Sequence, residues 1–336
     1  MEGECPNEEL LAAYLDGELE PLATDEVRAH VEACATCLGL LAEVVDDPEA
    51  AQSEHEGFDR YVLGRRLGAG AMGIVHEAFD PELKRKVAIK LVRASAGPDR
   101  AAEHARMLRE AQAMARLAHP NLVPVLAVGT RDEDLYLVME LIEGPSLRAW
   151  LTSSAHDWRE VLRAYVAAGR GLAAAHAAGV VHRDFKPDNV LVSAQGDDIA
   201  ARVRVIDFGL ARFVGAVEPA IATIPSGSEQ LERTAAGVLL GTPAYMAPEQ
   251  RVDAAVDARA DQFALAVALW EGLFGERPFS GRTHSALQEA IESGKLQRPA
   301  ARRGVPTRVV RALERALAAK PELRFADMTA FVDALE

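Results

Sequence analysis

The chain has 336 residues, of which 49% are hydrophobic and 26% are charged, and its formal net charge is −14. These values are typical of a globular protein that is long enough for two or three domains. No apolar run approaches the roughly 18 residues of a membrane span, and residues 1–4 (MEGE) lack the basic and apolar parts of a signal peptide. We therefore expect a cytoplasmic protein without a membrane span.

Acidic residues are concentrated near the N-terminus. Residues 1–57 contain 16 acidic residues and one basic residue, Arg28, so this segment carries a charge of −15, whereas residues 58–336 are close to neutral. Such an acidic segment argues against nucleic-acid binding. The change in composition predicts a small module over 1–45, a polar acidic linker over 46–60 and a larger domain over 61–336.

The small module contains all three cysteines of the chain, Cys5, Cys34 and Cys37. His30 and Cys34 are four residues apart on a helix predicted for 24–34, so they share a face. Three thiolates and one imidazole favour a closed, tetrahedral zinc site of the structural kind. The alternative is a helical hairpin with two buried thiols, a Cys34–Cys37 disulfide and no role for His30. Clustered cysteines in a cytosolic chain favour metal.

The spacing of these four residues, together with residues 14–19 (YLDGEL), resembles the zinc-binding anti-sigma domain of bacteria. The resemblance implies a module that docks on another protein. The charge of −15 adds the hypothesis that the module docks on a basic surface of the chain's own larger domain. An autoinhibitory flap and a thiol redox sensor are the alternatives. A segment of about 40 residues scarcely folds without metal, so the zinc would be structural.

From Tyr61 onward, the pattern predicts strands first and helices later. Strands are predicted at 62–64, 74–79, 86–92, 122–128 and 135–141, with one helix at 101–117. After Gly144, helices are predicted at 158–178, 257–274, 284–293 and 306–319. The predicted fold class is α+β, with a small antiparallel sheet lobe at about 61–140 and a helical lobe at about 145–336.

Six short motifs follow one another within this domain. They are Gly68-x-Gly70-x-x-Gly73-x-Val75, Val87-Ala88-Ile89-Lys90, Glu110, His182-Arg183-Asp184-Phe185-Lys186-x-x-Asn189, Asp207-Phe208-Gly209 and Ala247-Pro248-Glu249. Glycine lets a backbone approach phosphates closely, and a lysine on an adjacent strand can supply a cation. Each motif is weak alone, but six in the order that phosphoryl transfer requires are informative.

Residues 61–336 thereby resemble a protein kinase of the serine/threonine type. The resemblance implies a two-lobed fold, ATP with magnesium or manganese, and transfer of the γ-phosphate to serine or threonine hydroxyls of proteins, including its own activation segment. A catalytically silent nucleotide-binding scaffold is the main alternative, but Lys90, Asp184 and Asp207 are all present. A kinase of small molecules is disfavoured by residues 241–249, which resemble a polypeptide-binding segment.

The resemblance also assigns the nucleotide site. Adenine is expected beside the backbone of Glu140 and Ile142, with Met139 at the back of the pocket. Lys90 is expected to hold the α- and β-phosphates and to be held by an ion pair with Glu110. The full set of expected nucleotide contacts is Leu67, Gly68, Gly70, Gly73, Val75, Ala88, Lys90, Glu110, Met139, Glu140 and Ile142.

The catalytic residues implied by the resemblance are Asp184, Lys186, Asn189 and Asp207, together with Lys90. Asp184 is the expected base for the acceptor hydroxyl, and Lys186 is expected to neutralise the transferring phosphoryl group. Asn189 and Asp207 are the expected magnesium ligands. His182 and Phe208 are expected to be buried, Asp261 to brace the catalytic loop, and Glu249 to pair with Arg324.

Arg183 is the basis of a prediction about regulation. It lies beside the predicted base and has no evident partner in the sequence, so a phosphate on the activation segment could pair with it. Thr234 is the predicted phosphorylation site. Thr242 is expected to hydrogen-bond Asp184 and Lys186.

Overall fold

The structure, a computed structural model, describes most of the chain after residue 56. The described residues are Val27, His30 and Cys34 together with 57–70, 73–92, 100–131, 134–208, 244–251, 256–281, 283–297 and 304–336. The chain divides into two compact units between Leu63 and Gly64. In the first unit, Val27 and His30 are helical, and a short strand pairs Phe58 with Tyr61.

An antiparallel sheet lies within residues 57–140, and most of it belongs to the larger unit. Its strands are β1 (Gly57–Phe58), β2 (Tyr61–Gly70), β3 (Gly73–Asp80), β4 (Arg85–Val92), β5 (Val125–Arg131) and β6 (Asp134–Glu140). Their order across the sheet is β1-β2-β3-β4-β6-β5. Val87 and Ile89 on β4 are completely buried, as their β-branched side chains suit a central strand. The central position of β4 fixes Lys90 in the interior of the sheet.

One helix, α1 (Arg100–Ala115), packs against β5 and β6. Met107, Ala111 and Met114 are buried on one face of this helix. Their spacing of four and three residues gives a continuous apolar stripe. The stripe turns Glu110 away from the sheet core, and the Glu110 side chain is half-buried.

The remainder of the unit is mainly helical. Its helices are α2 (Leu147–Ser153), α3 (Trp158–Ala177), α4 (Ile199–Arg202), α5 (Arg259–Phe274), α6 (His284–Glu292), α7 (Thr307–Ala316) and α8 (Met328–Leu335). Two paired strands, β7 (Val190–Val192) and β8 (Val203–Val205), flank α4 in the chain; β8 contacts α3, and β7 contacts α4. Helix α5 is apolar almost all round, as expected of a helix buried in the centre of a lobe.

The packing of α3 on its neighbours depends on one small residue. A Cβ on Gly169 of α3 would lie 2.7 Å from Val332 Cγ2 on α8 and 3.1 Å from Leu265 Cδ2 on α5. Glycine at this position therefore allows the three helices to approach closely. The resulting core supports the loop that follows α3.

The predicted fold class is confirmed, and the long helices match their predicted ranges at the start to within two residues. Strand β5 begins three residues later than predicted. The short helices α2, α4 and α8 are not among the predicted elements, although α2 and α8 begin after the capping residues Ser146 and Asp327. Asp157 caps the predicted helix α3 in the same way. Among the helices in the described ranges, none has both the length and the apolar character that a membrane span requires.

Candidate active site

The motif glycines lie where β2 ends and β3 begins. Gly73 has a φ of 128°, and a Cβ at this position would lie 1.8 Å from the carbonyl oxygen of Leu91 on β4. Only glycine tolerates so close an approach, so Gly73 is required by the packing of β3 on β4. A Cβ on Gly68 would meet nothing within 4 Å. Packing of the described residues thus gives no reason for glycine at 68, and the approach of Gly68 to phosphates stays a prediction.

Lys90 is buried in the cleft between the two lobes. It pairs across the sheet with Val75 on β3 and Leu137 on β6, and only 3% of the residue is exposed. Its Nζ donates to Asp207 Oδ1 over 2.9 Å. A buried ammonium group needs a close carboxylate. The fold therefore brings together two predicted site residues that are 117 positions apart in sequence.

The predicted ion pair between Lys90 and Glu110 is not formed in this structure. Among the described ion pairs, Lys90 is held by Asp207, and Glu110 Oε1 lies 3.9 Å from Arg183 Nη1. The buried ammonium group of Lys90 needs a close carboxylate, and Asp207 supplies it. The expectation that Arg183 has no partner is wrong, because Glu110 faces it.

Asp184 is the centre of the predicted catalytic loop, residues 182–189. Its Oδ2 accepts from Lys186 Nζ at 2.9 Å and from Asn189 Nδ2 at 3.2 Å, and Asn189 Nδ2 also donates to the Asp184 carbonyl at 2.8 Å. Its Oδ1 is buried and has no hydrogen-bond partner among the described residues. A buried carboxylate oxygen without a donor is costly. Asp184 Oδ1 is thus positioned to accept a hydrogen bond from a bound hydroxyl group.

Asn189 and Asp207 fit the donor set of a divalent metal ion. Because Asn189 Nδ2 is turned toward Asp184, the amide oxygen Oδ1 is the donor atom that Asn189 can offer. Asp207 has a φ of 61°, and its Oδ1 contacts Lys90. A carboxylate and an amide oxygen are hard ligands of the kind that Mg²⁺ and Mn²⁺ prefer. The residues present are therefore compatible with the predicted metal site.

Three aromatic rings pack together beneath Asp184 and Asp207 in the chain segments 182–185 and 206–208. His182 lies between Phe185 and Phe208, at ring-centroid distances of 5.8 and 4.7 Å. All three residues are buried, which confirms the expectation for His182 and Phe208. His182 Nε2 is also 2.9 Å from the carbonyl oxygen of Ile206. The rings thus connect the catalytic loop to the segment that carries Asp207.

Asp261, at the start of α5, braces the catalytic loop as predicted. Its Oδ2 accepts from the backbone N–H of His182 and contacts His176 Nε2, and its Oδ1 accepts from the backbone N–H of Arg183. Burial by itself would raise the pKa of Asp261, but the hydrogen bond and charge of His176 and the contacts with His182 lower the pKa overall. Arg183 has a φ of 65°, so this bracing holds a backbone conformation that is uncommon for arginine.

A further tie to the catalytic loop comes from Gln250, which was not identified from the sequence. Its Nε2 donates to the Arg183 carbonyl at 2.7 Å, and its Oε1 accepts from the backbone N–H of Ala247. The predicted Glu249–Arg324 pair is confirmed, with two hydrogen bonds of 2.6 and 2.8 Å. The residue type alone gave no signal for Gln250, because its role depends on the carbonyl that faces it.

Two of the predicted adenine contacts, Met139 and Glu140, lie at the C-terminal end of β6, where the sheet lobe ends. Met139 is buried and pairs with Ala88 across β4 and β6. The backbone N–H of Glu140 donates to the Pro124 carbonyl at 3.0 Å, so the carbonyl is the group that Glu140 can offer to adenine. Ile142 and Val75 are partly buried against the core. Leu67 is exposed, as a residue at the mouth of a cleft would be.

Several predicted residues lie outside the described part of the chain. They are Cys5 and Cys37 of the zinc site, and Thr234 and Thr242 of the activation segment. His30 and Cys34 are described, both half-buried, and Cys34 itself is not helical. Within the described residues, no group of three potential metal-binding side chains comes together. The zinc site therefore stays a prediction.

Comparison with protein families gives two matches. Residues 61–330 match the family described as "Protein kinase domain", and residues 8–38 match the family described as "Putative zinc-finger". The second match contains His30, Cys34 and Cys37 but not Cys5.

Comparison with individual proteins points in the same direction. The chain is 36% identical over 319 residues to the serine/threonine-protein kinase Pkn1 of Myxococcus xanthus, covering 92% of this chain and 42% of that protein. It is 38% identical over 285 residues to PknL of Mycobacterium bovis, covering 82% of this chain and 65% of that protein. The chain thus spans about half of the length of these relatives. The PknI kinase domain of Mycobacterium tuberculosis matches with a TM-score of 0.60 and 29% identity, over 83% of this chain and 96% of that one.

Proposed function

The chain belongs to the protein kinase family, and from this premise we propose that it transfers the γ-phosphate of ATP to serine and threonine hydroxyls of proteins. The observation that carries the proposal is the environment of Asp184. Its buried Oδ1 lacks a donor among the described residues, while Lys186 and Asn189 hold Oδ2. An acceptor hydroxyl that donates to Oδ1 would satisfy this atom.

The residues of the cleft have complementary roles in this reaction. The acceptor oxygen would attack the γ-phosphorus, its proton would pass to Asp184, and the bond to the leaving oxygen of ADP would break. Lys186 would neutralise charge on the phosphoryl group. Asn189 and Asp207 would hold a magnesium ion, which neutralises charge on the phosphates when bound. Lys90 would exchange its contact with Asp207 for the α- and β-phosphates.

The experiment is transfer of labelled γ-phosphate from ATP in the presence of magnesium. We expect incorporation into serine or threonine by the wild-type chain, and a fall of about 10²- to 10⁴-fold for Asp184→Asn, the range of a lost general base. Asp207→Asn should abolish transfer, while the matched surface variant Asp197→Asn should not. A wild-type chain that binds ATP without any transfer would instead support the nucleotide-binding scaffold.

We further propose that phosphorylation of Thr234 activates the enzyme. The contact between Arg183 and Glu110 supports this idea, because a phosphate that pairs with Arg183 would compete with Glu110 for its guanidinium group. Glu110 could then reach Lys90. Mass spectrometry of active protein should find phosphate on Thr234, and Thr234→Ala should lower activity more than Thr223→Ala. Active protein with unmodified Thr234 would contradict the proposal.

For the N-terminal module we propose a structural zinc ion bound by Cys5, His30, Cys34 and Cys37, and a role in protein docking. The family match over 8–38 supports the metal, and the −15 charge of residues 1–57 supports docking on a basic surface of a partner or of the kinase domain itself. Removal of residues 1–57 should change activity more at low salt than at high salt. Equal activity at both salt concentrations would contradict intramolecular docking.

A cytoplasmic location stays a prediction, which cell fractionation tests.

A further inference from the structure

Five polar side chains meet beside the catalytic loop, and the reaction described above uses none of them. We refer to them as the arginine–tyrosine cluster: Arg148, Asp188, Tyr245, Glu271 and Arg277. They come from α2, the turn after Lys186, the segment before Ala247, helix α5 and the loop after α5. Because α5 and the loop after it are adjacent, the cluster joins four parts of the chain that are distant in sequence.

Arg148 lies at the centre of this cluster. Its Nε lies 2.9 Å from both carboxylate oxygens of Asp188, and its Nη2 donates to the Tyr245 hydroxyl at 2.7 Å. Its Nη1 is 3.9 Å from Glu271 Oε2. One guanidinium group thus faces two carboxylates and a phenol. Burial alone would lower the pKa of Arg148, but its contacts with Tyr245 and Asp188 raise the pKa overall, so the group stays charged.

Tyr245 connects Arg148 to the second carboxylate. Its hydroxyl donates to Glu271 Oε2, and Glu271 Oε1 also accepts from Arg277 Nε at 3.2 Å. The guanidinium carbons of Arg148 and Arg277 lie 5.8 and 5.5 Å from the centre of the tyrosine ring. Burial raises the pKa of Tyr245 to about 12, which keeps its proton available for Glu271 at physiological pH. The two carboxylates of the cluster are therefore compensated by two arginines.

The cluster adjoins the loop that carries Asp184. Asp188 follows Lys186 by two residues, and Lys186 contacts the proposed base Asp184. The segment that contains Tyr245 is tied to the same loop, because Gln250 Nε2 donates to the carbonyl of Arg183. The side chains of Arg148 and Asp188 remain 37% and 44% exposed. Both side chains are therefore accessible to a polypeptide that binds beside this loop.

We propose that Arg148 determines the charge preference of the acceptor site. By pairing with Asp188 and, directly and through Tyr245, with Glu271, it occupies the carboxylates that would otherwise bind a basic side chain next to the acceptor residue. The acceptor class is then a polypeptide that needs no arginine or lysine beside its serine or threonine. This inference deepens the proposed kinase function and rests on it.

The test compares peptides that differ only in whether arginine or alanine stands at each position within three residues of one serine. Peptide affinity is measured by fluorescence anisotropy, and kcat/KM by phosphate transfer, for wild type and Arg148→Gln. We expect wild type to treat the two peptide types within about twofold of each other. Arg148→Gln should favour an arginine peptide by about tenfold at one or more positions, as expected when a charge-assisted hydrogen bond becomes available.

Three further variants make the test specific. The additional change Asp188→Asn in the Arg148→Gln chain should remove most of the gain. Arg148→Lys, which keeps the positive charge, should behave as wild type. Arg159→Gln is the matched control, because Arg159 is an exposed arginine that lies over Trp158 on α3. Equal affinity of a folded Arg148→Gln chain for both peptide types would overturn the inference. So would a preference for the arginine peptide in Arg148→Lys as large as that in Arg148→Gln.

The affinity measurement separates this inference from the proposed function. A wild-type chain that binds the peptides and ATP but transfers no phosphate would refute the kinase activity. The ratio of peptide affinities in Arg148→Gln would still decide whether Arg148 masks the carboxylates.

Discussion

Arg324 gives the strongest test of how the structure holds the segment near the active site. The side chain of Arg324 is completely buried and makes two hydrogen bonds to Glu249, of 2.6 and 2.8 Å. Its other N–H groups donate to the carbonyls of Ala318, Arg259 and Ala319 at 2.8, 2.9 and 3.2 Å. The guanidinium group is therefore fully surrounded, but its charge is compensated by Glu249.

Glu249→Gln tests this arrangement, because it keeps the size of the side chain and removes the negative charge. Breaking a buried ion pair costs about 3–5 kcal/mol, since the remaining charge is left uncompensated. The glutamine oxygen can still accept one hydrogen bond and the three carbonyls remain, so we expect the lower end, about 3 kcal/mol. At about 2–4 °C per kcal/mol for a domain of this size, the midpoint of thermal unfolding should fall by about 6–12 °C.

The assay is thermal and urea unfolding followed by tryptophan fluorescence. All three tryptophans, Trp150, Trp158 and Trp270, lie in the helical lobe that contains this pair, so the signal reports on the relevant part of the molecule. Glu322→Gln is the matched control, because Glu322 is exposed in the turn next to Arg324. A loss of less than about 1 kcal/mol relative to this control would refute the reasoning, since that is the range of an exposed pair.

Three more predictions concern other parts of the chain. Asp261→Asn should destabilise the protein by about 3 kcal/mol at pH 7, because it removes the buried carboxylate that accepts from the backbone N–H groups of His182 and Arg183. The pKa of Asp261 is lowered in the folded state, so its stabilisation is complete above about pH 4 and is lost as the pH falls through that lowered pKa. Below about pH 4, the free energy of urea unfolding should therefore depend less on pH in Asp261→Asn than in the wild-type chain. Gly144→Ala should lower the free energy of urea unfolding by at least about 2 kcal/mol, because the added Cβ would lie 2.0 Å from the Val192 carbonyl oxygen. The same variant should raise the KM for ATP, because residue 144 lies beside the predicted adenine contacts. Metal analysis should find about one zinc per chain and much less in Cys34→Ser, and a chelator should lower the helical circular dichroism of the full chain.

Each of these predictions has a control or a contradicting outcome. An Asp261→Asn chain whose acid unfolding matches wild type would show that Asp261 is not the titrating group. Gly294→Ala separates backbone strain from overlap, because Gly294 has a φ of 64° but open space around its Cβ position. Equal losses for the two glycine variants would contradict the argument from Val192. A purified chain without zinc, in which Cys34→Ser changes nothing, would favour the hairpin with two buried thiols.

The sequence was sufficient to predict the fold class and the start of the long helices, whereas the catalytic roles of the motif residues stay predictions. The glycine loop, Lys90, Asp184 and Asp207 could be recognised because phosphoryl transfer restricts both residue type and order along the chain. The Glu249–Arg324 pair and the brace by Asp261 were predicted from the family resemblance, and the structure confirms both. Short elements such as α4 were missed, because four residues carry too little periodicity to predict a helix.

Only the tertiary structure decided which charged groups pair with each other. Lys90 could have paired with Glu110 or Asp207, and the choice depends on which carboxylate lies in the same buried cleft. The role of Arg148 likewise required the approach of four distant segments, since nothing near Arg148 in sequence indicates Asp188 or Glu271. Pairing energies depend on distance and burial, which local sequence does not specify, whereas the chemistry of a motif is carried by the residue types themselves.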